Sequence, residues 1–280
     1  MKITGSTPLY ALLGNPANQS LSPVLQNGWI KEHGFDGVYV ALAPALDQFE
    51  IALEGLYQAG LQGANVTSPF KERAANKAVE LTTRARASHS VNCLSYTAHG
   101  FRGDSTDGGG LIADLDARMP GWRANQGHIV LLGAGGAARA LLNVFYDEGF
   151  GHIDVVNRTL SHADAKIAPL EPRNLRTFAW DQMAHSLQGA GLVINATSAG
   201  LKGQDAFVPD FSLTRSDALI YDTIYAPRET TFLAGAKGQG RQILNGLGML
   251  AGQGALSFEA WFGVKPDILA GLARLEQALV

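Results

Sequence analysis

The chain has 280 residues, 46% of them hydrophobic, and a formal net charge of −3 at neutral pH. That length and apolar content favour two packed domains over a disordered chain. The slightly negative balance gives no case for nucleic acid or an anionic membrane as partner, since both call for a basic face.

The first residues, Met1-Lys2-Ile3-Thr4-Gly5, lack the build of a signal peptide, and no apolar run approaches the ~20 residues of a membrane helix, so a cytoplasmic protein with no membrane partner is expected. Pro8 to Leu13 reads as a strand ending at the turn Gly14-Asn15-Pro16. Ser22-Pro23 looks like an N-cap with proline at the first helical position, opening a helix to about Glu32. Gly37 to Leu42 is the second strand, Asp47 to Ala59 a helix, Leu61 to Val66 the third strand, and Lys71 to Leu81 a helix. The alternation predicts an α/β layer with a mostly parallel sheet. Residues 101–110, polar and rich in glycine, read as a loop or a hinge. The lone cysteine, Cys93, fits a reducing compartment and reads as a small, partly buried residue.

Leu111 to Met119 predicts a helix, and a second α/β unit begins at Gly127. His128 to Leu132 is an apolar strand running into Gly133-Ala134-Gly135-Gly136-Ala137-Ala138 and a helix to Glu148. Gly133, Gly135 and Ala138 match Gly-x-Gly-x-x-Gly/Ala. The first glycine allows the tight turn, the second lets backbone approach a pyrophosphate, and the third small residue lets helix pack on strand. Gly136 lies in the loop and Ala137 opens the helix, whose free N–H groups face the phosphate. The next strand, His152 to Val156, leads into Asn157-Arg158-Thr159. No carboxylate stands there for a ribose 2′-hydroxyl, whereas Arg158 offers a planar fork for a 2′-phosphate, which favours NADP over NAD. Later strands are expected at Leu192 to Asn195 and Leu219 to Asp222, and helices at Gly248 to Phe262 and Lys265 to Leu279. The seven histidines show no metal-ligand spacing with cysteine or carboxylates, so no metal is expected.

Several separated motifs together resemble the shikimate dehydrogenase family over nearly the whole chain. They are Gly14-Asn15-Pro16 with Ser20-Leu21-Ser22-Pro23, then Asn65-Val66-Thr67-Ser68-Pro69-Phe70-Lys71, Val91-Asn92, and Gly103-Asp104-Ser105-Thr106-Asp107-Gly108. The glycine loop, Asn157-Arg158-Thr159, Asn195-Ala196-Thr197-Ser198, and Gly246-Leu247-Gly248-Met249-Leu250 with Gln253 complete the set. The resemblance implies two α/β domains with the active site in the cleft between them. Residues 1–107 plus 245–280 would form a discontinuous substrate domain, and 108–244 a Rossmann-type NADP domain. It implies reversible reduction of 3-dehydroshikimate to shikimate with NADPH, in a monomer or homodimer.

By the same resemblance Lys71 is the acid–base group and Asp107 its partner, unless the pair mainly hydrogen-bonds substrate hydroxyls and orients the ketone. Ser20 and Ser22, helped by Tyr225, would bind the substrate carboxylate, and Thr67, Asn92 and Gln253 the ring hydroxyls. Gly133 to Ala138, Asn157, Arg158, Thr159, Thr197, Gly246 and Met249 would line the cofactor. Each has a plainer reading: Ser22 as a helix cap, Asp107 as a turn residue before glycine, Asn92 in a turn, Gln253 exposed on a helix, Arg158 in a surface loop. Lys71 opens a helix, where the dipole opposes a cation, and this tilts it toward function. Three positions depart from the family pattern: Cys93 where threonine is common, Ser105 for asparagine, and His162 for a second arginine at the 2′-phosphate. These leave open a paralogue that uses quinate or a related hydroxy acid, or NAD, and a dinucleotide sensor without turnover.

Overall fold

A computed structural model describes residues 2–124, 127–167, 175–201 and 205–279. It divides into two compact units, Met1–Asp114 with Leu250–Val280, and Leu115–Met249.

The first unit is built on a six-stranded sheet. Its strands are β1 (Leu9–Leu13), β2 (Val38–Leu42), β3 (Gly63–Val66), β4 (Glu80–Leu81), β5 (Cys93–Thr97) and β6 (Gly100–Asp104). Their order across the sheet is β2-β1-β3-β5-β6-β4, with β5 antiparallel to both its neighbours and the remaining pairs parallel. The two-residue side-chain period sends alternate residues to opposite faces. Ala11, Leu13, Val40, Leu42, Ala64, Val66 and Leu94 join one core, where they meet Phe49 and Leu53 of α2 (Phe49–Gln58) and Ala74 of α3 (Lys71–Lys77). Tyr39, Asn65 and Cys93 stand at the alternate positions. Asn65 bonds Ser257 of α10 (Leu247–Phe262), whose portion from Leu250 on belongs to this unit. The helices α1 (Ser22–Glu32) and α11 (Ile268–Ala278) pack with it, Trp29 meeting Phe258 edge-on at 5.9 Å.

The second unit holds six parallel strands: β7 (Ile129–Leu132), β8 (Ile153–Asn157), β9 (Leu175–Ala179), β10 (Leu192–Asn195), β11 (Leu219–Asp222) and β12 (Gln242–Asn245). The order β12-β11-β10-β7-β8-β9 is the doubly wound arrangement of dinucleotide-binding folds, and its direction reverses between β7 and β10. The four residues of β7, of β10 and of β11 are all buried, as expected for strands covered on both faces.

The structure corrects several expectations. Ser22 is the first helical residue rather than the cap; Leu21 takes the cap position and no side chain caps it. The helix from Lys71 stops at Lys77 because Ala78 turns extended, and Glu80–Leu81 pairs with β6 instead. Residues 101–110 are not a loop: 100–104 form β6, and α5 (Asp107–Arg118) starts four residues before the expected Leu111. The helix α4 (Thr83–Ser88) and the hairpin β5–β6 had no strong periodic signal. The first turn of α5 lies on α10, a Cβ at Gly110 being only 2.4 Å from the Gln253 backbone nitrogen. Gly246 is seated on Thr223, where a Cβ would lie 2.1 Å from the carbonyl oxygen.

Candidate functional site

In the first unit, Lys71 opens α3 directly after Phe70, which is fully buried and stacked on Phe49 at 4.5 Å. The preceding turn is closed by the Phe70 amide donating to the Thr67 carbonyl at 3.0 Å. Thr67 is packed against Gly14, where no Cβ would fit, since one would lie 2.2 Å from Thr67 Cγ2. The ammonium so placed meets Asp107 at the start of α5, with Nζ to Oδ2 2.5 Å and the side chains 18% and 7% exposed.

Asn92 is the hub of the site. Its amide nitrogen lies 2.8 Å from Asp107 Oδ1, 2.9 Å from Thr106 Oγ1 and 3.2 Å from Gln253 Oε1, three acceptors that share its two hydrogens, and its oxygen accepts the Thr106 amide at 2.6 Å. Gln253 anchors its own amide on the Leu250 carbonyl at 2.9 Å. Lys71, Asp107, Asn92 and Gln253, far apart in sequence, thus form one hydrogen-bonded cluster in which Asn92 is 2% exposed and Gln253 9%. The readings of Asn92 as a simple turn residue and of Gln253 as an exposed helix position do not hold.

Ser20 and Ser22 bond each other, hydroxyl to hydroxyl at 3.2 Å. Tyr39 is fully buried, and burial pushes its phenol well above its ordinary value. Tyr39 donates to Asn65 Oδ1 at 2.9 Å, and Asn65 donates to the Asn92 carbonyl at 3.1 Å and Ser257 Oγ at 2.8 Å. This buried chain joins Tyr39 and Ser257 to the Asn92 cluster. Tyr39 and Ser257 carry no signal in the sequence, whereas Asn65 and Thr106 stand in family-like motifs that gave them no role of their own. Cys93 is fully buried beside Ser257, and burial pushes its thiol up to about 12, which makes it an inert packing group. Ser105 is buried with no partner for its hydroxyl.

In the second unit, Gly133 ends β7 in the left-handed region, φ 107°, and a Cβ there would lie 3.0 Å from Thr197 Cγ2 and 3.2 Å from the Ala196 carbonyl oxygen. Gly135 has no atom within 4 Å of its Cβ position and takes the cap position of α6 (Gly136–Asp147) with no side-chain cap. The first amides of α6, from Gly136 and Ala137 onward, are therefore open to a phosphate, and Ala138 is fully buried at the sheet. The loop lies at the carboxyl ends of the strands where their order reverses, the usual ligand position in such sheets. Asn157, whose amide bonds the Thr159 carbonyl at 2.8 Å, shares a depression of about 500 Å³ with Arg158, Thr159, His162 and Thr197. Arg158 and His162 are exposed. Gly246 and Met249 follow β12, and Tyr225 follows β11; all three belong to this unit, whereas the other expected substrate residues belong to the first. Among the described residues no three His, Cys, Asp or Glu could hold a metal ion, and no helix is long and apolar enough to cross a membrane.

A doubly wound unit with an open glycine loop, in one chain with a unit that carries a half-buried Lys–Asp pair, defines a nucleotide-dependent oxidoreductase. Residues 12–94 match the model of the shikimate dehydrogenase substrate binding domain, 117–203 that of shikimate/quinate 5-dehydrogenase, and 246–276 that of the shikimate 5'-dehydrogenase C-terminal domain. Over 270 residues the chain is 42% identical to a shikimate dehydrogenase (NADP(+)) of Rhodospirillum rubrum, with 95% of each chain covered. It is 40% identical to the Azorhizobium caulinodans protein of the same name, over 95% and 94% of the two chains. The fold matches the crystal structure of shikimate 5-dehydrogenase from Thermus thermophilus in complex with NADP(H) and shikimate, with TM-score 0.86, 30% identity, and 97% and 100% of the two chains covered. The chain belongs to the shikimate dehydrogenase family.

Proposed function

We propose that this protein catalyses the reversible NADP-dependent reduction of 3-dehydroshikimate to shikimate, with Lys71 and Asp107 as an acid–base and orienting pair. The observation that carries the reading is the short Lys71–Asp107 contact within a buried cluster of neutral hydrogen-bonding side chains. Such a lining suits a polyol with one reacting oxygen.

Reduction of the ketone adds a hydride to carbon and a proton to oxygen, and the bound cofactor supplies the hydride. The open amides of α6, the permissive Gly133 and the unobstructed Gly135 fit a dinucleotide. Arg158 would take the 2′-phosphate, with Asn157, Thr159, Thr197, Gly246 and Met249 lining the rest. His162 beside it brings no permanent charge.

Lys71 Nζ would hand a proton to the alkoxide oxygen as it develops, and take it back in the oxidative direction. Asp107 holds the ammonium on its Oδ2 while Asn92 fixes the other oxygen, so the pair has one orientation. Of the three contacts of the Asn92 amide, the longest, to Gln253, is the one that a substrate hydroxyl would replace. Ser20 and Ser22 would take the carboxylate with Tyr225, and Thr67 and Gln253 the remaining hydroxyls. A cytoplasmic monomer or homodimer completes the reading.

The variant Lys71→Ala tests it. Turnover is expected to fall about 10²- to 10⁴-fold while the dissociation constant for NADPH stays within twofold of the parent. Full turnover by this variant would remove Lys71 from the chemistry.

A further inference from the structure

Asp222 ends β11 with its side chain fully buried. Its Oδ2 accepts the Thr230 hydroxyl at 2.6 Å, and its Oδ1 accepts the Ile224 amide at 3.0 Å and Asn195 Nδ2 at 3.1 Å. One carboxylate thereby grips both ends of segment 224–230, the segment that carries Tyr225. Its third donor leads elsewhere. Asn195 Oδ1 accepts the amide and the hydroxyl of Thr197 at 3.1 and 2.7 Å, and the Asn195 carbonyl accepts the Thr223 amide at 3.0 Å. Thr197 is the residue that Gly133 must leave room for.

The chemistry of this position is specific. The three groups around Asp222 are all donors, and none of them is charged. Of the side chains of this length, only a carboxylate accepts from all three without bringing a donor of its own. A fully buried carboxylate without a cation is costly to keep, and packing alone would be served as well by a neutral residue.

We infer that Asp222 is a positioning residue that holds the Tyr225 segment and the Thr197 turn in one register, so that its loss weakens substrate and cofactor binding together. The inference rests on the proposed function for the roles of Tyr225 and Thr197, and it adds the element that couples them. Burial raises the Asp222 carboxyl to about 6, which marks how far its surroundings exclude water.

The test compares Asp222→Asn, Thr230→Val and Thr230→Ser in the full chain. The readouts are the NADPH dissociation constant by nicotinamide fluorescence, KM and kcat for shikimate at saturating NADP+, and the melting temperature. Asp222→Asn is expected to raise both the NADPH constant and the shikimate KM about tenfold, with a much smaller change in kcat. Thr230→Val, which cuts the tie to the Tyr225 segment and the cap that the same hydroxyl gives the Leu233 amide but leaves the Asn195 branch intact, is expected to raise KM and leave the NADPH constant unchanged. Thr230→Ser, which keeps the hydroxyl, is expected to match the parent. A lower melting temperature with KM and the NADPH constant both within twofold of the parent would overturn the inference, as would a Thr230→Ser variant as impaired as Thr230→Val. If Asp222→Asn does not fold, the Thr230 pair decides. If the parent itself does not turn over shikimate, the proposed reaction fails, and NADPH binding by Asp222→Asn still judges the tie to the Thr197 turn.

Discussion

Truncating Asn92 to alanine tests the hub of the site on stability and on activity at once. The change leaves the Thr106 amide without its partner at 2.6 Å, Asp107 Oδ1 without its donor at 2.8 Å and Gln253 Oε1 without its donor at 3.2 Å. All three residues are buried. An orphaned buried polar group costs about 1–3 kcal/mol, and water admitted by the lost side chain satisfies part of the deficit. The expected loss is therefore about 3 kcal/mol rather than the full sum. Asp107 also loses the bond that orients it on Lys71, so kcat/KM is expected to fall at least about 10²-fold. Urea unfolding followed by tryptophan fluorescence gives the first number, and initial rates give the second. Asn92→Asp is the control. It keeps the oxygen that Thr106 needs but sets a second carboxylate against Asp107, so it is expected to keep more of the stability while activity stays low. A loss below about 1 kcal/mol for Asn92→Ala, with kcat/KM unchanged, would refute the reasoning.

Arg158→Ala removes the only permanent positive charge among the described residues lining its depression, as His162 is the other basic residue there. The KM for NADP+ is expected to rise about 10- to 100-fold and that for NAD+ to change little, so equal effects on both would contradict the assigned role. Asp222 sets a pH dependence of stability. Burial raises its folded-state pKa from 3.8 to about 6, so the folded chain holds the proton more tightly than the unfolded chain between those values. The contribution is fully present below pH 3.8 and is lost as pH rises through 6, about 3 kcal/mol in total and about 1 kcal/mol of it between pH 5 and 7. Urea midpoints at pH 5 and 7 are expected to differ less in Asp222→Asn than in the parent, and an unchanged difference would remove Asp222 from the pH response.

The legible parts of the fold were those where one physical signal dominates. Leu192–Asn195 and Leu219–Asp222 are short, continuous apolar runs buried on both faces, and their bounds were read from the sequence without error. The glycine loop was legible because a strand must end and a helix begin around it. Residues 100–110 hid their structure for the opposite reason. Gly103 lies in β6 because a Cβ would come within 3.0 Å of Val91, Leu81 and Ala78, and the glycines of α5 permit the close approach to α10. Tertiary packing there overrides poor local propensity. The two-residue β4 has no period to detect. The residues that join the site's parts, Tyr39, Asn65, Thr106, Ser257 and Asp222, are buried polar groups, and in a sequence they look the same as groups in turns or on surfaces.

The initial rate of NADP+ reduction with shikimate, read at the nicotinamide absorbance beside the same assay with NAD+ and with quinate, tests the proposed reaction most directly. Fast turnover with shikimate and NADP+, and little with the other pairs, is the predicted result. Preference for quinate or NAD+, or no turnover with any pair, would contradict it and turn attention to Cys93, Ser105 and His162.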